Sequence, residues 1–432
     1  MNLAGKGSRK RLKILSTVTI VGQGYVGLPL AEAASSKGWK VFGFDVSSNT
    51  VKNLNAGVSH IDDISDSMLG DMINNGYQAT TDPSGISQSD FVVICVPTPL
   101  GDAGAPDLGA VRGATQTVGE NLRAGTTVIL ESTTYPGTTE EVCVPILEAA
   151  SGLSAESDFY VAFSPERVNP GMKEFGIRNT PKLVGGTRPD ATEKAFSFYD
   201  SFIETVVKMS GTKEAETAKL LENTFRHVNI ALVNEMARVC HELGIDVWEV
   251  IRGAATKPFG FMKFTPGAGV GGHCIPIDPN YLSYEVRRQL GYPLRFVELA
   301  QEINNSMPLY VVDRVAEALN EDSKSLKGSK VLLVGVTYKP NISDQRESPA
   351  VPVGNELIRR GASVSYFDPF VKNWHLKTTT LQSVGDLLEE AKKADCVVLL
   401  QNHASIDVQK LGEMSARLLD TQGVSDIPGN KL

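Results

Sequence analysis

Thr17-Val-Thr-Ile-Val-Gly22-Gln-Gly24-Tyr25-Val26-Gly27-Leu-Pro-Leu-Ala sets five β-favouring residues before a G-x-G-x-x-G turn and a run with helical spacing. A strand that turns through glycines into a helix opens a βαβ unit, and strands joined by helices run parallel. Each glycine has its own task. Gly22 makes the tight turn, and Gly24 lets the backbone approach a pyrophosphate at the helix N-terminus, with Tyr25 and Val26 in that first turn. Gly27 allows close packing of helix on strand. Asp45 ends the next β-rich run, 18 residues after Gly27. A carboxylate there hydrogen-bonds a ribose 2′-hydroxyl and repels a 2′-phosphate. No Lys or Arg follows within five residues to offset that repulsion, so the expected cofactor is NAD rather than NADP.

The same alternation continues outward. Lys40–Asp45, Phe91–Val96, Thr126–Glu131 and Phe159–Phe163 are apolar runs of strand length, and Leu28–Lys37 and Leu108–Leu122 have helical spacing between them. From Lys213 to Leu243 there is neither Gly nor Pro, and Ala218, Leu221, Phe225 and Val228 recur as one helix face would. A second helical stretch runs from Pro293 to Asn320, with a kink expected near Pro308. The last third echoes the first. Lys330–Val336 resembles Val18–Gly24 as an opening strand, and Gly361-Ala-Ser-Val-Ser-Tyr-Phe-Asp368 keeps the glycine-to-aspartate spacing of Gly38 to Asp45. Asp395-Cys-Val-Val-Leu-Leu likewise matches Asp90-Phe-Val-Val-Ile-Cys. The expected fold is α/β: two Rossmann-like, doubly wound parallel-sheet domains joined by an all-helical middle domain with a long core helix. The expected limits are 1–212, 213–322 and 323–432. The second copy lacks the glycine fingerprint and should not hold a dinucleotide in the same way.

Composition narrows the function classes. The 432 residues are 41% hydrophobic and 21% charged, an ordinary globular mixture. A net charge of −8 argues against general binding to nucleic acid. Five widely spaced cysteines, with no C-x-x-C, make a disulfide framework or a metal site unexpected and fit a reducing, cytoplasmic compartment. Lys6, Arg9, Lys10, Arg11 and Lys13 read as a solvated basic tail rather than a signal peptide, because the apolar run after them is too short. No stretch of 18 uninterrupted apolar residues occurs, so no membrane span is expected.

Several loops carry candidate chemistry. Val96-Pro97-Thr98-Pro99 and Glu131-Ser132-Thr133-Thr134 fall at carboxyl ends of strands, where open α/β sheets bind ligands. Thr98 and Thr133 are candidates to reach the nicotinamide end, or simply to cap their loops. Gly267-Ala-Gly-Val-Gly271-Gly272-His273-Cys274-Ile-Pro-Ile-Asp278 sets a cysteine in backbone free to approach a substrate, with a carboxylate four residues on. An ordinary thiol, with a pKa of about 8.5, needs a nearby cation or helix N-terminus to be activated; a structural cysteine is the plainer alternative. Lys219, Asn223 and Arg226 share one helix face, either as a polar site or as a solvated stripe. Ser164-Pro-Glu166-Arg167-Val168-Asn-Pro170-Gly171 places a carboxylate and a guanidinium after a strand, suited to substrate positioning or to a surface turn.

Taken together, G-Q-G-Y-V-G, V-P-T-P, E-S-T, S-P-E-R-V-N-P-G, A-K-L-L-E-N-T-F-R, G-V-G-G-H-C-I-P-I-D-P and D-Q-R-E-S-P resemble the UDP-glucose/GDP-mannose dehydrogenase family from Thr17 to about His403. The resemblance implies oxidation of the C6 alcohol of a nucleotide sugar to a carboxylate with two NAD⁺, a dimer or higher homo-oligomer built on the long helix, and a C-terminal domain holding the UDP portion. By motif, Cys274 resembles the nucleophile that forms a thiohemiacetal and then a thioester, and Lys219 the acid–base or oxyanion-stabilising lysine. Asn223 and Asp278 resemble the groups that hold water and assist proton transfer, near Thr133. Glu166 matches the glutamate of thioester hydrolysis. Arg167, Val168, Arg226, Gly271, Lys339 and Arg346 fall among the substrate-binding positions.

Pro170 stands where UDP-glucose dehydrogenases carry a second glutamate, so the pattern resembles the branch acting on UDP-N-acetylhexosamines. Lys257-Pro-Phe-Gly-Phe-Met262 resembles the UDP-N-acetylglucosamine enzymes within it, leaving UDP-N-acetylmannosamine or another UDP-hexose as the alternative. Two further readings are a hydroxyacid-type dehydrogenase that stops after two electrons and a non-enzymatic NAD sensor. Cys274 and the third domain argue against the first. The joint presence of Cys274, Lys219, Asn223 and Asp278 argues against the second.

Overall fold

The computed structural model describes residues 16–101, 105–168, 174–272, 275–427 and 431–432. The chain divides into two compact units, Met1–Leu220 and Leu221–Leu432. In the first, strands β1 (Thr17–Val21), β2 (Lys40–Phe44), β3 (Gln78–Thr80), β4 (Phe91–Ile94), β5 (Thr127–Leu130), β6 (Tyr160–Phe163), β7 (Lys182–Gly186) and β8 (Val206–Lys208) form one sheet. Its order is β3-β2-β1-β4-β5-β6-β7-β8. Helices α1 (Gly27–Ser35), α2 (Ser48–Asn55), α3 (Asp66–Asn74), α4 (Gly109–Glu120), α5 (Val144–Ser151) and α6 (Pro189–Asp200) connect the strands. The chain order reverses between β1 and β4, which is where doubly wound sheets open their ligand crevice. Central strands such as Phe-Val-Val-Ile (β4) and Thr-Val-Ile-Leu (β5) are buried throughout, as a sheet covered on both faces requires.

One pairing departs from the parallel pattern and reverses the last two strands, β7 and β8. β7 pairs with β6 antiparallel, through Ala162 with Gly186 and Phe163 with Gly185. No helix lies between β6 and β7 among the described residues, and an antiparallel return needs no crossover.

Helix α7 (Thr212–Glu242) begins in the first unit and continues into the second. It is followed by α8 (Val247–Ala254), α9 (Asp278–Leu290) and α10 (Arg295–Glu321), which holds Pro308 inside it. The apolar spacing read from the sequence, Ala218, Leu221, Phe225 and Val228, does not mark the buried face of α7. Leu221 and Phe225 are 63% and 45% exposed, whereas Glu216, Lys219, Asn223, His227 and Asn234 are buried. The periodicity marks a real face, but the protein covers the opposite one, where these polar residues stand among Ala215, Leu220, Ala231, Val233, Ala237 and Cys240.

The second sheet comprises β9 (Lys330–Val334), β10 (Ser363–Phe367), β13 (Cys396–Leu399) and β14 (Leu418–Asp420), in the order β10-β9-β13-β14 and parallel throughout. A small hairpin of β11 (Asn373–His375) and β12 (Thr380–Gln382) forms its own two-stranded sheet, and its Trp374 packs on Tyr366 of β10. Helices α11 (Ala350–Arg359), α12 (Leu387–Lys393) and α13 (Val408–Met414) complete it. The sequence echo becomes a shared hydrogen-bond frame. The Gly22 N–H donates to the Phe44 carbonyl (2.8 Å) and the Gly335 N–H to that of Phe367 (2.9 Å). The Gln23 N–H donates to Asp45 (2.9 Å), as Val336 does to Asp368 (2.7 Å). The Thr17 N–H donates to Asp90, as Lys330 does to Asp395. In the second copy, however, His403 Nε2 also donates to Asp368, at 3.1 Å, because the Asn341 N–H occupies Nδ1. Both His403 and Asp368 are buried.

Among the described residues no helix is long and apolar enough to cross a membrane, and no cluster of three His, Cys, Asp or Glu side chains is placed to hold a metal.

Candidate active site

At the carboxyl end of β1, backbone proximity rather than side chains makes the glycine loop. A Cβ on Gly22 would lie 2.5 Å from the Cys95 carbonyl, and one on Gly27 only 1.9 Å from the Gly22 carbonyl. Gly24 is different: a Cβ there would meet nothing within 4 Å. Its bare flank stands at the start of α1, where unpaired N–H groups and the helix dipole favour an anion, so the loop fits the pyrophosphate of NAD. Asp45 Oδ2 accepts from the Gln23 N–H and Oδ1 from the Ser47 N–H, both at 2.9 Å. The carboxylate thus braces the loop while keeping lone pairs for a ribose hydroxyl. Tyr25 is exposed and Val26 half-buried at the helix entry.

The two threonine loops are tied together at the ends of β4 and β5. The Val96 N–H donates to Ser132 Oγ (2.9 Å), and Ser132 Oγ donates to the Val96 carbonyl (2.7 Å). This stitch places Pro97 exposed, Thr98 buried and Thr133 half-buried on adjacent strand ends.

Deeper in the first unit lies a charged group that reaches Glu166. Lys182, the first residue of β7, bonds Glu131 at the end of β5 and stands 3.6 Å from Glu166 Oε2. Tyr199 donates to the other oxygen of Glu131, at 2.8 Å. The Val168 N–H donates to Glu166 Oε1, and Arg167 Nη1 to the Pro181 carbonyl. Burial pushes the Glu131 carboxyl up to about 7, against the pull of Lys182. Burial would raise Glu166 too, but Lys182, the Val168 N–H and Lys219 together hold it below the usual carboxylate range. Lys182 is kept above its ordinary value: burial opposes its charge, and Glu131 and Glu166 restore it.

In the second unit, Asn223 Nδ2 donates to Asp278, the first residue of α9, and both side chains are buried. Asn234, three turns further along α7, accepts from the Gly267 N–H (2.9 Å) and donates to Asn304 (2.9 Å). It therefore pins the start of the glycine segment that leads to Cys274. The other end is held by the D-Q-R-E-S-P loop: the Gly272 N–H donates to the Arg346 carbonyl (3.2 Å). A Cβ on Gly271 would lie 2.8 Å from the Glu347 carbonyl, and one on Gly272 2.7 Å from the Tyr338 ring. The Arg346 guanidinium is clasped by both oxygens of Asp344. Lys339 Nζ stands over the Tyr338 ring at 5.8 Å, and Arg226 is exposed. Pro308 contributes indirectly. Lacking an N–H, it leaves the Asn304 carbonyl free of the helix ladder, and Gly269 packs against that point.

The expected residues thus fall into separate groups: Lys219 acts on Glu166 in the first unit, while in the second Asn223 meets Asp278, and the Arg346 loop meets Gly271 and Gly272. Cys274, His273 and Pro170 lie outside the described residues. Sequence reasoning missed Lys182, Tyr199 and Asn234. Lys182 begins a strand and Asn234 sits in a helix with no motif around it, so only the fold reveals their partners.

Comparison with known proteins identifies the family. Residues 16–203 match the NAD binding domain of the UDP-glucose/GDP-mannose dehydrogenase family, 213–306 its central domain and 332–429 its UDP binding domain. The UDP-N-acetyl-D-glucosamine 6-dehydrogenase of Pseudomonas aeruginosa is 38% identical over 82% of this chain and 83% of its own length. A UDP-N-acetyl-D-mannosamine dehydrogenase of Pyrococcus horikoshii is 36% identical over 92% of each chain. The solved UDP-D-ManNAc dehydrogenase from Pyrococcus horikoshii superposes with a TM-score of 0.87 at 32% identity, covering 96% of this chain and 98% of the other. Three domain models in order and relatives of this similarity leave one assignment: the chain belongs to the UDP-glucose/GDP-mannose dehydrogenase family, and it is an NAD-dependent UDP-sugar dehydrogenase.

Proposed function

We propose that this chain oxidises the C6 alcohol of UDP-N-acetylglucosamine to the carboxylate, holding the half-oxidised carbon on Cys274. The observation that carries the reading is the set of buried polar residues on α7: Asn223 is bonded to Asp278, and Asn234 holds the start of the glycine segment that leads to Cys274. When bound, NAD⁺ accepts a hydride in each of two successive oxidations. The Cys274 sulfur attacks the C6 aldehyde, and the new hydroxyl of the thiohemiacetal is served by Lys219 and the Asn223–Asp278 pair. Loss of a hydride and that hydroxyl proton leaves a thioester. Glu166, with Thr133 near the same strand ends, then directs water onto the acyl carbon, the C–S bond breaks and the acid is released. Arg346 and Lys339, with Arg167, Val168, Arg226 and Gly271, serve the nucleotide sugar.

Relatives named as UDP-N-acetyl-D-glucosamine 6-dehydrogenases at 38% identity, from Pseudomonas aeruginosa and Salmonella typhi, support this epimer, as does Lys257–Met262. UDP-N-acetylmannosamine is the second reading, favoured by the Pyrococcus horikoshii relative and its solved structure. The domain limits 1–212, 213–322 and 323–432 belong to the same reading. So does a homodimer that covers the exposed apolar face of α7, at Leu221, Phe225, Leu232, Met236 and Val239. The experiment is NADH released at completion per UDP-N-acetylglucosamine with NAD⁺ in excess. Two per sugar is expected. One would return the two-electron reading, and none would move the substrate to another UDP-hexose.

A further inference from the structure

We propose that Lys182, seated between Glu131 and Glu166, is a positioning residue that keeps Glu166 ionised and oriented for hydrolysis of the thioester. The inference rests on the reading of Glu166 as the base of that step. There Glu166 takes a proton from water as the water oxygen bonds the acyl carbon, and the Cys274 sulfur departs as thiolate.

A lysine whose side chain is only 5% exposed needs a carboxylate, and Glu131 alone supplies one. Glu131 in turn has Lys182 and Tyr199, so that buried set would be complete without Glu166. Yet Lys182 Nζ also stands 3.6 Å from Glu166 Oε2, and Glu166 is the more exposed of the two carboxylates, at 16% for its side chain. The strand pairing makes this meeting rigid. β5 delivers Glu131, β6 leads into Glu166, and β7, running back along β6, starts with Lys182. Three consecutive positions in the sheet order thus bring one ammonium to two carboxylates.

Among the described residues, the groups facing Glu166 are Lys182 from β7, Glu131 after β5 and Lys219 from α7, with Tyr199 and Cys95 behind them. Arg167, its neighbour, is turned to the Pro181 carbonyl. Two carboxylates beside two ammonium groups balance. As pH falls, Glu131 is protonated before Glu166, since burial has pushed it up to about 7 while Glu166 is held low. Lys182 then faces Glu166 alone, and the base stays charged. Without Lys182, a proton would settle on this carboxylate pair at higher pH.

The test compares Lys182→Met, Lys182→Arg and Glu166→Gln, using the UDP-N-acetylhexosamine that the wild type oxidises. It reads kcat and KM against pH, together with the intact mass of acid-quenched enzyme, which shows an acyl adduct on Cys274. Lys182→Met should lower kcat by about tenfold or more with little change in sugar KM, and should move the acid limb of kcat up by about one pH unit. It should also accumulate the adduct, and Lys182→Arg should restore most of the rate. If Lys182→Met fails to fold, the double variant Glu131→Gln/Lys182→Met removes one buried charge of each sign and gives the same readouts. An unmoved acid limb and no adduct without Lys182, while Glu166→Gln accumulates adduct, would overturn the positioning role alone. Normal turnover in Glu166→Gln would overturn the hydrolytic reading beneath it.

Discussion

Tyr77 donates its phenolic hydrogen to Oε1 of Gln23 across 2.8 Å, and this buried bond fixes the middle of the glycine loop. The other end of Gln23 donates to the carbonyls of Ile20 (2.8 Å) and Gly22 (3.1 Å). The variable residue of G-x-G is therefore a brace that joins the loop to its own strand and to the segment before β3. Gly43 leaves room for it: a Cβ there would lie 2.6 Å from both Gln23 Oε1 and Tyr77 Oη.

Tyr77→Phe should leave Gln23 Oε1 buried without its donor, at a cost of about 1–3 kcal/mol. Denaturant unfolding would register that loss, and the KM for NAD should rise as the loop loosens. Gly43→Ala should act in the same direction and more strongly, because the methyl displaces both partners.

Asp45→Ala removes the acceptor of two backbone N–H groups as well as the candidate ribose contact. The KM for NAD should rise by about tenfold, in line with a lost charge-assisted hydrogen bond of about 1.5 kcal/mol or more. The preference over NADP should narrow. Steady-state kinetics with both cofactors decide, and an unchanged preference would mean that another residue reads the ribose.

Gly272→Ala should stop turnover while leaving NAD binding intact. The residue has φ of +90°, which an L side chain rarely adopts, and its Cβ would press on the Tyr338 ring. Asn234→Ala loosens the other end of the same segment by freeing the Gly267 N–H. Fluorescence titration with NADH beside an activity assay separates the two properties. Loss of both together would show a general folding defect instead.

His227 gives the fold an acid-sensitive point. It is buried on α7, its Nε2 finds no hydrogen-bond partner among the described residues, and burial pushes it down to about 4. The unfolded chain, with an ordinary imidazole near 6.5, binds more protons between those values. The contribution of the neutral ring is therefore full above pH 6.5 and lost as pH falls toward 4. At pH 5 the loss is about 2 kcal/mol. His227→Gln should flatten that part of the stability profile, measured by thermal unfolding from pH 7.5 to pH 5.

Much of the frame was legible because it is local. β1 spans Thr17–Val21 as its β-favouring residues suggest, and α7 ends within one residue of the Gly- and Pro-free stretch. The glycine-to-aspartate spacing of the last third does mark a second sheet. Candidate residues tied to short motifs were also visible, since Asn223 and Asp278 stand in separate motif strings and meet across 55 positions. The inward face of α7 was not legible. The spacing picked out the exposed apolar face, whereas the buried face mixes hydrogen-bonding polar groups with Leu220, Val233, Ala237 and Cys240. Lys182 and Glu131, 51 residues apart, and Tyr77 and Gln23, 54 apart, meet only because strand order brings them together. The antiparallel entry of β7 depends on that same order, which no periodicity records.

Two copies of one frame in a single chain also present the folding polypeptide with a choice of partners. Thr-Val-Thr-Ile-Val and Lys-Val-Leu-Leu-Val are both parallel-sheet centres, each seeking an aspartate-headed strand on one side and a glycine-headed strand on the other. An exchange between them would satisfy most of the backbone bonds and still trap the chain. The helices from Thr212 to Glu321 separate the copies by more than 100 residues, so each centre meets its own neighbours first. His403 then makes the second copy chemically distinct, because Asp368 completes its bonding only with that histidine. What reads as a lost cofactor cradle in the C-terminal sheet is also a label that tells the two sheets apart.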